Sequence, residues 1–186
     1  MEKIELLILD VDGILTDGKK NYTINGEVIG KSFPDIDFTA LKMFKAMGID
    51  VVLITGDANN LFLSEKRNLE TIISRSPNGK ILDKGKVLRQ IAKDKNVQLK
   101  KIWFAGDDVF DIAAMKEAGY VSVPSNALPV TKSFANIEID AISGEYFVSK
   151  MLERYLESHP ITDLDSLLMR VEELDAMEAS SADMNK

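Results

Sequence analysis

The sequence predicts a doubly wound α/β domain, a parallel sheet with helices on both faces. Three features carry that expectation. Short apolar runs recur at residues 4–9, 51–54 and 102–105. Amphipathic stretches lie between them, with Leu41, Phe44 and Met47, and then Val87, Leu88 and Ile91, at helical spacing. Acidic clusters follow directly on the apolar runs. Strands buried on both faces read as unbroken apolar runs, and helices between them imply parallel crossovers of right-handed sense. Ligands of such folds bind beyond the carboxyl ends of the strands.

Each element follows from its residues. Residues 4–9 form the first strand. A β-hairpin is predicted next, because runs 20–24 and 27–31 flank Asn25-Gly26, a pair that accepts positive φ. It projects as a small lid or an oligomer contact, and no large cap domain is expected. The helix through Leu41 leads to the second strand, rich in β-branched residues, and the helix through Leu88 leads to the third. Residues 120–123 and 137–139 are shorter strand candidates. His159-Pro160 ends the preceding helix and divides a domain of residues 1–158 from a tail of 159–186. Leu164, Leu167, Leu168, Val171 and Leu174 form a short amphipathic helix there, and residues 179–186 read as disordered.

Composition narrows the classes of function. The 186 residues carry a net charge of −7, with 45% hydrophobic and 28% charged side chains, an ordinary globular balance. The acidic balance argues against a nucleic-acid binder, which needs a basic face to displace counterions. Cysteine is absent, which excludes disulfides, thiolate catalysis and cysteine metal sites. No apolar run approaches the length of a membrane span, and the charged start does not read as a signal peptide, so a cytoplasmic protein is expected.

The chemistry sits where the strands end. The first runs into Asp10-Val11-Asp12-Gly13, the second into Thr55-Gly56-Asp57, the third into Gly106-Asp107-Asp108 with Asp111. Asp is a poor strand former and clustered carboxylates repel, so a positive group should hold them together. An oxygen-only set with no suitably placed histidine suits a hard cation, most simply Mg²⁺. A strand-end carboxylate can attack phosphorus, and a second acid two residues on can protonate the leaving oxygen and then activate water. Thr55 supplies a hydroxyl for phosphate, and Lys84 or Lys86 a cation, Lys86 being preferred because it directly precedes the apolar stripe.

Together, Asp10-Val11-Asp12-Gly13, Thr55-Gly56, Lys86 and Gly106-Asp107-Asp108 with Asp111 resemble the motifs of the haloacid dehalogenase-like hydrolases, across most of residues 4–157. The longer run from Asp10 through Thr16-Asp17-Gly18 is similar to the capless branch. That branch holds the 3-deoxy-octulosonate 8-phosphate and nonulosonate (acylneuraminate) 9-phosphate phosphatases and the C-terminal domain of animal acylneuraminate cytidylyltransferases. The resemblance implies a phosphatase of a small sugar phosphate, working through phospho-Asp10 with Asp12 as acid/base. It implies Mg²⁺ on Asp10, the Asp12 carbonyl and Asp107, phosphate on Thr55, Gly56 and Lys86, and Asp108 and Asp111 orienting the metal's water and the lysine. It also implies a homotetramer whose hairpins pack together and whose neighbouring subunits complete the site.

The match weakens at the specificity elements. Asp57 stands where octulosonate phosphatases carry Arg and nonulosonate enzymes an acid, which tilts the reading toward a nine-carbon acid sugar. Asp37 matches an acidic position near the substrate and is equally a helix cap. The late glycine-rich loop is reduced to Ser143-Gly144-Glu145-Tyr146. A non-catalytic assembly module is therefore the rival reading. A phosphorylatable signalling receiver is disfavoured by Asp-Val-Asp on the first strand.

Overall fold

The structure, a computed structural model, describes residues 1–183. Five parallel strands form one sheet: β1 (Leu6–Asp10), β4 (Asp50–Thr55), β5 (Glu70–Ile73), β6 (Ile102–Ala105) and β7 (Tyr120–Ser122), in the order β5-β4-β1-β6-β7. A separate antiparallel hairpin, β2 (Asn21–Tyr22) with β3 (Val28–Gly30), follows β1. The helices are α1 (Asp35–Ala46), α2 (Phe62–Arg67), α3 (Lys84–Asp94), α4 (Ile112–Met115), α5 (Pro129–Lys132), α6 (Phe147–Leu156) and α7 (Leu164–Asp183).

Strand β1 is buried along its whole length. Leu7 and Leu9 pack with α1 and α6 through Leu41, Phe44 and Met151. Leu6 and Ile8 face α3 and α4 through Leu88, Ile91 and Met115. The chain thus leaves β1 toward one face and β6 toward the other, which makes the gap between these neighbours the topological switch point. Register sets what arrives there. Asp10 lies opposite Ile54 and Leu9 opposite Ala105. Asp10, Thr55 and the Gly106-Asp107 turn therefore emerge at one edge of the sheet.

Several expectations change. The hairpin turn is not the two-residue turn that Asn25-Gly26 suggested. Only Gly26 has positive φ, at 84°, and Gly26 N–H donates to Thr23 O, with Thr23 N–H donating to Glu27 O. That is a turn closed by a glycine bulge. Residues 137–139 form no strand. They run beside β7, where Asn136 N–H and Ile137 N–H both donate to Val121 O, without building a ladder. Strand β5, unforeseen, is the sheet's edge beyond β4. The tail helix is long. α7 spans 20 residues and includes residues 179–183, which the sequence assigned to a disordered end, and residues 184–186 lie outside the described range. Helix α7 packs on α1 and α2, with Leu167 buried. Glu178 pairs with Lys42 at 3.0 Å and Arg67 at 2.9 Å, and Asp175 also pairs with Lys42. No helix among the described residues is long and apolar enough to cross a membrane.

Candidate active site

The acidic strand ends open on a cavity of about 600 Å³ lined by Asp10, Asp12, Gly56, Asp57, Lys84 and Asp107 among others. Its floor is an ion-pair relay. Lys84, at the first position of α3, sits 3.1 Å from Asp10 Oδ1 and 2.6 Å from Asp111 Oδ1. Asp83 starts that helix by accepting from Gly85 N–H and Lys86 N–H. Lys86 points to solvent. The preference for Lys86 is thereby corrected. Lys84 lies four residues before Leu88 and seven before Ile91, on the face that α3 buries, whereas Lys86 falls on the other face.

Asp111 is fully buried, and both of its oxygens are hydrogen-bonded. Its Oδ2 accepts from the backbone of Asp107 at 3.0 Å and Asp108 at 3.1 Å, and its Oδ1 takes Lys84. It orients the lysine and closes a capping box with Asp108, whose carboxylate takes Val109 N–H. Asp10 Oδ1 accepts from Val11 N–H at 2.8 Å and from Lys84, which leaves Oδ2 without a protein partner. Asp107 Oδ1 is buried with no partner. Gly13, at φ 89°, backs onto that carboxylate so closely that a Cβ there would stand 2.1 Å from Asp107 Oδ2.

The electrostatics of the relay are uneven. Burial pushes Asp10 up to about 8, with Asp111 adding to the rise against the pull of Lys84. Burial, then Asp111 and Asp108, push Asp107 up to about 7. Burial also opposes the Lys84 charge, but Asp10 and Asp111 outweigh it and hold the ammonium above its ordinary value. The ammonium stays charged, and burial leaves the two carboxyls short of positive charge. One oxygen from each of Asp10, Asp107 and Asp111 lies within 4.8 Å of the others. Since both Asp111 oxygens are engaged, the donors left for a cation are Asp10 Oδ2 and Asp107. An orphaned buried oxygen beside a second open one, all oxygen in type, fits a hard divalent cation.

The other predicted residues divide. Thr55 Oγ1 is buried and accepts from Asp57 N–H at 3.1 Å and Asn60 Nδ2 at 2.8 Å, so its own hydrogen remains to donate. Gly56 lines the cavity. Asp57 lines it too, but its Oδ1 caps the following turn at Asn59 N–H, and its Oδ2 takes Lys20 at 2.7 Å and Lys31 at 2.8 Å. Burial would raise Asp57, yet the hydrogen bonds from Lys20 and Lys31 win and hold it well below the usual carboxylate range. Asp37 does not reach the cavity. Its Oδ1 accepts from Ser149 N–H at 2.9 Å and Ser149 Oγ at 2.8 Å, capping α6 from α1, and burial raises its carboxyl. The substrate-binding expectation for Asp37 is corrected for the same reason as that for Lys86. Asp37 precedes Leu41 and Phe44 at the spacing of the buried face. Sequence reasoning missed Lys20, Ser74 and Arg75, which line this cavity, and Lys31 and Asn60, which hold Asp12. Ser74 and Arg75 follow the unforeseen β5, and Arg75 donates to Gly56 O at 3.0 Å and Gly79 O at 2.7 Å.

Comparison with known proteins agrees with this geometry. A family model, the haloacid dehalogenase-like hydrolases, matches residues 23–119, just over half of the chain. The chain belongs to this family. Among curated relatives, the 3-deoxy-D-manno-octulosonate 8-phosphate phosphatase of Haemophilus influenzae is 28% identical over 158 residues, 85% of this chain and 86% of that one. The N-acylneuraminate cytidylyltransferase of Oncorhynchus mykiss is 27% identical over 157 residues, 83% of this chain but 36% of that protein. Among solved structures, the octulosonate 8-phosphate phosphatase of Moraxella catarrhalis, in complex with a magnesium ion, a phosphate ion and KDO, matches at TM-score 0.73 and 26% identity, covering 95% of this chain and 92% of that one. This family member is of the capless kind, with only the hairpin inserted after β1, and it is a phosphoric monoester hydrolase.

Proposed function

We propose that the chain is an Mg²⁺-dependent phosphatase of a small acidic sugar phosphate, a nonulosonate 9-phosphate or octulosonate 8-phosphate, and that the reaction passes through phospho-Asp10. One observation carries the reading. Asp10 has one oxygen fixed by Val11 N–H and Lys84 and the other open to the cavity. That is the arrangement of an oriented nucleophile, whose lone pair is aimed while its partner oxygen is held.

The Asp10 carboxylate attacks phosphorus, the ester bond breaks, and the leaving oxygen takes a proton from Asp12. Asp12 then accepts a proton from water as the water oxygen attacks the acyl phosphate, which frees phosphate and Asp10. Lys84 and the Thr55 hydroxyl, with the Gly56 backbone, bind the non-bridging oxygens. Asp10, the Asp12 carbonyl and Asp107 would hold the divalent cation, which when bound screens the attacking carboxylate from the anionic ester.

The assembly-module reading draws on the likeness to the cytidylyltransferase. An intact relay of Lys84, Asp10 and Asp111 speaks against it, since a buried ion-pair cluster is costly to keep without a use. We further propose a homotetramer built through the hairpin, where Tyr22, Ile24 and Ile29 are exposed. The deciding experiment measures phosphate release from a panel of esters with and without Mg²⁺, with Asp10→Asn as control. Expected is Mg²⁺-dependent turnover, highest on eight- or nine-carbon acid-sugar phosphates and lost in the variant. Absence of Asp10-dependent turnover on every ester would favour the assembly module.

A further inference from the structure

Lys31 stands one residue beyond β3, at the root of the hairpin, and its side chain is 5% exposed. Its ammonium donates to Asp12 Oδ1 at 2.7 Å and Oδ2 at 3.0 Å, to Asp57 Oδ2 at 2.8 Å and to Asn60 Oδ1 at 2.8 Å. An ammonium has three donors, and this one spends them on three residues. Asn60, itself buried, turns its amide to Asp12 Oδ2 at 3.1 Å and to Thr55 Oγ1 at 2.8 Å. Take Lys31 away and the Asp12 carboxylate keeps Asn60 alone.

Anchoring the hairpin does not require this burial. Lys20, one residue before β2, already ties the other stem to Asp57 at 2.7 Å from a more exposed position. Desolvating a second ammonium is costly unless its geometry is used. We propose that Lys31 is a positioning residue for the reaction. It fixes the Asp12 carboxylate at the cavity wall, so that the hairpin's seating sets the alignment of the acid/base group. The assignment rests on the reading of Asp12 as acid/base in a phosphatase.

The test compares two probes on the same enzyme, p-nitrophenyl phosphate, whose phenolate leaves without needing a proton, and a sugar phosphate, whose alkoxide does need one. Lys31→Met should lower kcat/KM on the sugar ester, which reports phosphoryl transfer before water attacks, by about 100-fold, the scale of a general acid lost from alignment. On the aryl ester the loss in kcat/KM should be about fivefold or less, because its leaving group needs no proton. Placed in an Asp12→Asn background, Lys31→Met should add no further loss on the sugar ester, because the two residues act as one unit. Lys31→Arg should recover most of the lost rate. The ratio of the two rates is taken on one preparation, so partial unfolding cancels. Equal losses on both esters, or a further loss in the Asp12→Asn background, would overturn the assignment alone. A wild type that hydrolyses neither ester would overturn the phosphatase reading and this assignment with it.

Discussion

At the scale of single residues, the site turns on which lysine meets which carboxylate. Lys84 is the only cation that contacts Asp10 among the described residues, and it shares itself with fully buried Asp111. Lys84→Met should therefore lower kcat by about 100- to 1000-fold, the range for one lost charge-stabilising donor. It should also destabilise the metal-free protein by roughly 3–5 kcal/mol, because it strands two buried acids. Lys86→Met should stay within about twofold on activity and about 0.5 kcal/mol on stability, as surface substitutions do. Steady-state kinetics and thermal melts on the two variants check both. The lysine was legible in principle. Strand ends gave Asp10, Thr55 and Asp107 without difficulty, since each follows an apolar run. Choosing the lysine needed the helical wheel of α3 together with the cap at Asp83, and proximity in sequence to the apolar stripe pointed to the wrong neighbour. Asp37 illustrates the same lesson, since its spacing to Leu41 and Phe44 already placed it on the buried face.

At the scale of elements, the hairpin is fastened at both stems to one carboxylate. Asp57 takes Lys20 before β2 and Lys31 after β3. Its carboxyl is depressed in the fold, so the fastening is fully present above the ordinary carboxylate pKa of about 4 and is lost as pH falls below it. Hydrogen exchange of the hairpin should accordingly begin to lose protection, relative to the core strands, as pH falls below about 4, and should go on losing it toward the depressed value of the Asp57 carboxyl. In Asp57→Asn that pH dependence should flatten and the protection should be low throughout. A hairpin equally protected at every pH in both proteins would contradict the fastening. The hairpin itself was readable from Asn25-Gly26, but its turn type was not, because the choice between a two-residue turn and a glycine bulge depends on strand register. Strand β5 escaped notice because Glu70-Thr71-Ile72-Ile73 is short, only partly buried and lacks the continuous apolar character of the central strands. Its omission hid Ser74 and Arg75, which the same strand delivers to the cavity. The length of α7 was underestimated since its outer turns are held by Glu178 pairing with Lys42 and Arg67, contacts distant in sequence.

At the scale of the whole molecule, the doubly wound sheet places the open oxygens of Asp10 and Asp107 at its switch point, while the hairpin presents Tyr22, Ile24 and Ile29 outward. Apolar side chains on so small an element suit burial against other copies. Light scattering on the purified protein should give a tetramer, and Tyr22→Lys with Ile24→Lys should shift it to smaller species with an unchanged circular dichroism spectrum. A wild type that is monomeric at all accessible concentrations would contradict the assembly. The central claim, however, is that Asp10 carries the phosphoryl group. The most direct measurement is peptide mass analysis after acid quench during turnover with Mg²⁺, with borohydride reduction to convert any phosphoaspartate into homoserine. The account predicts conversion at Asp10, absent without substrate. Full turnover with Asp10 never labelled, or label on another aspartate such as Asp107, would contradict it.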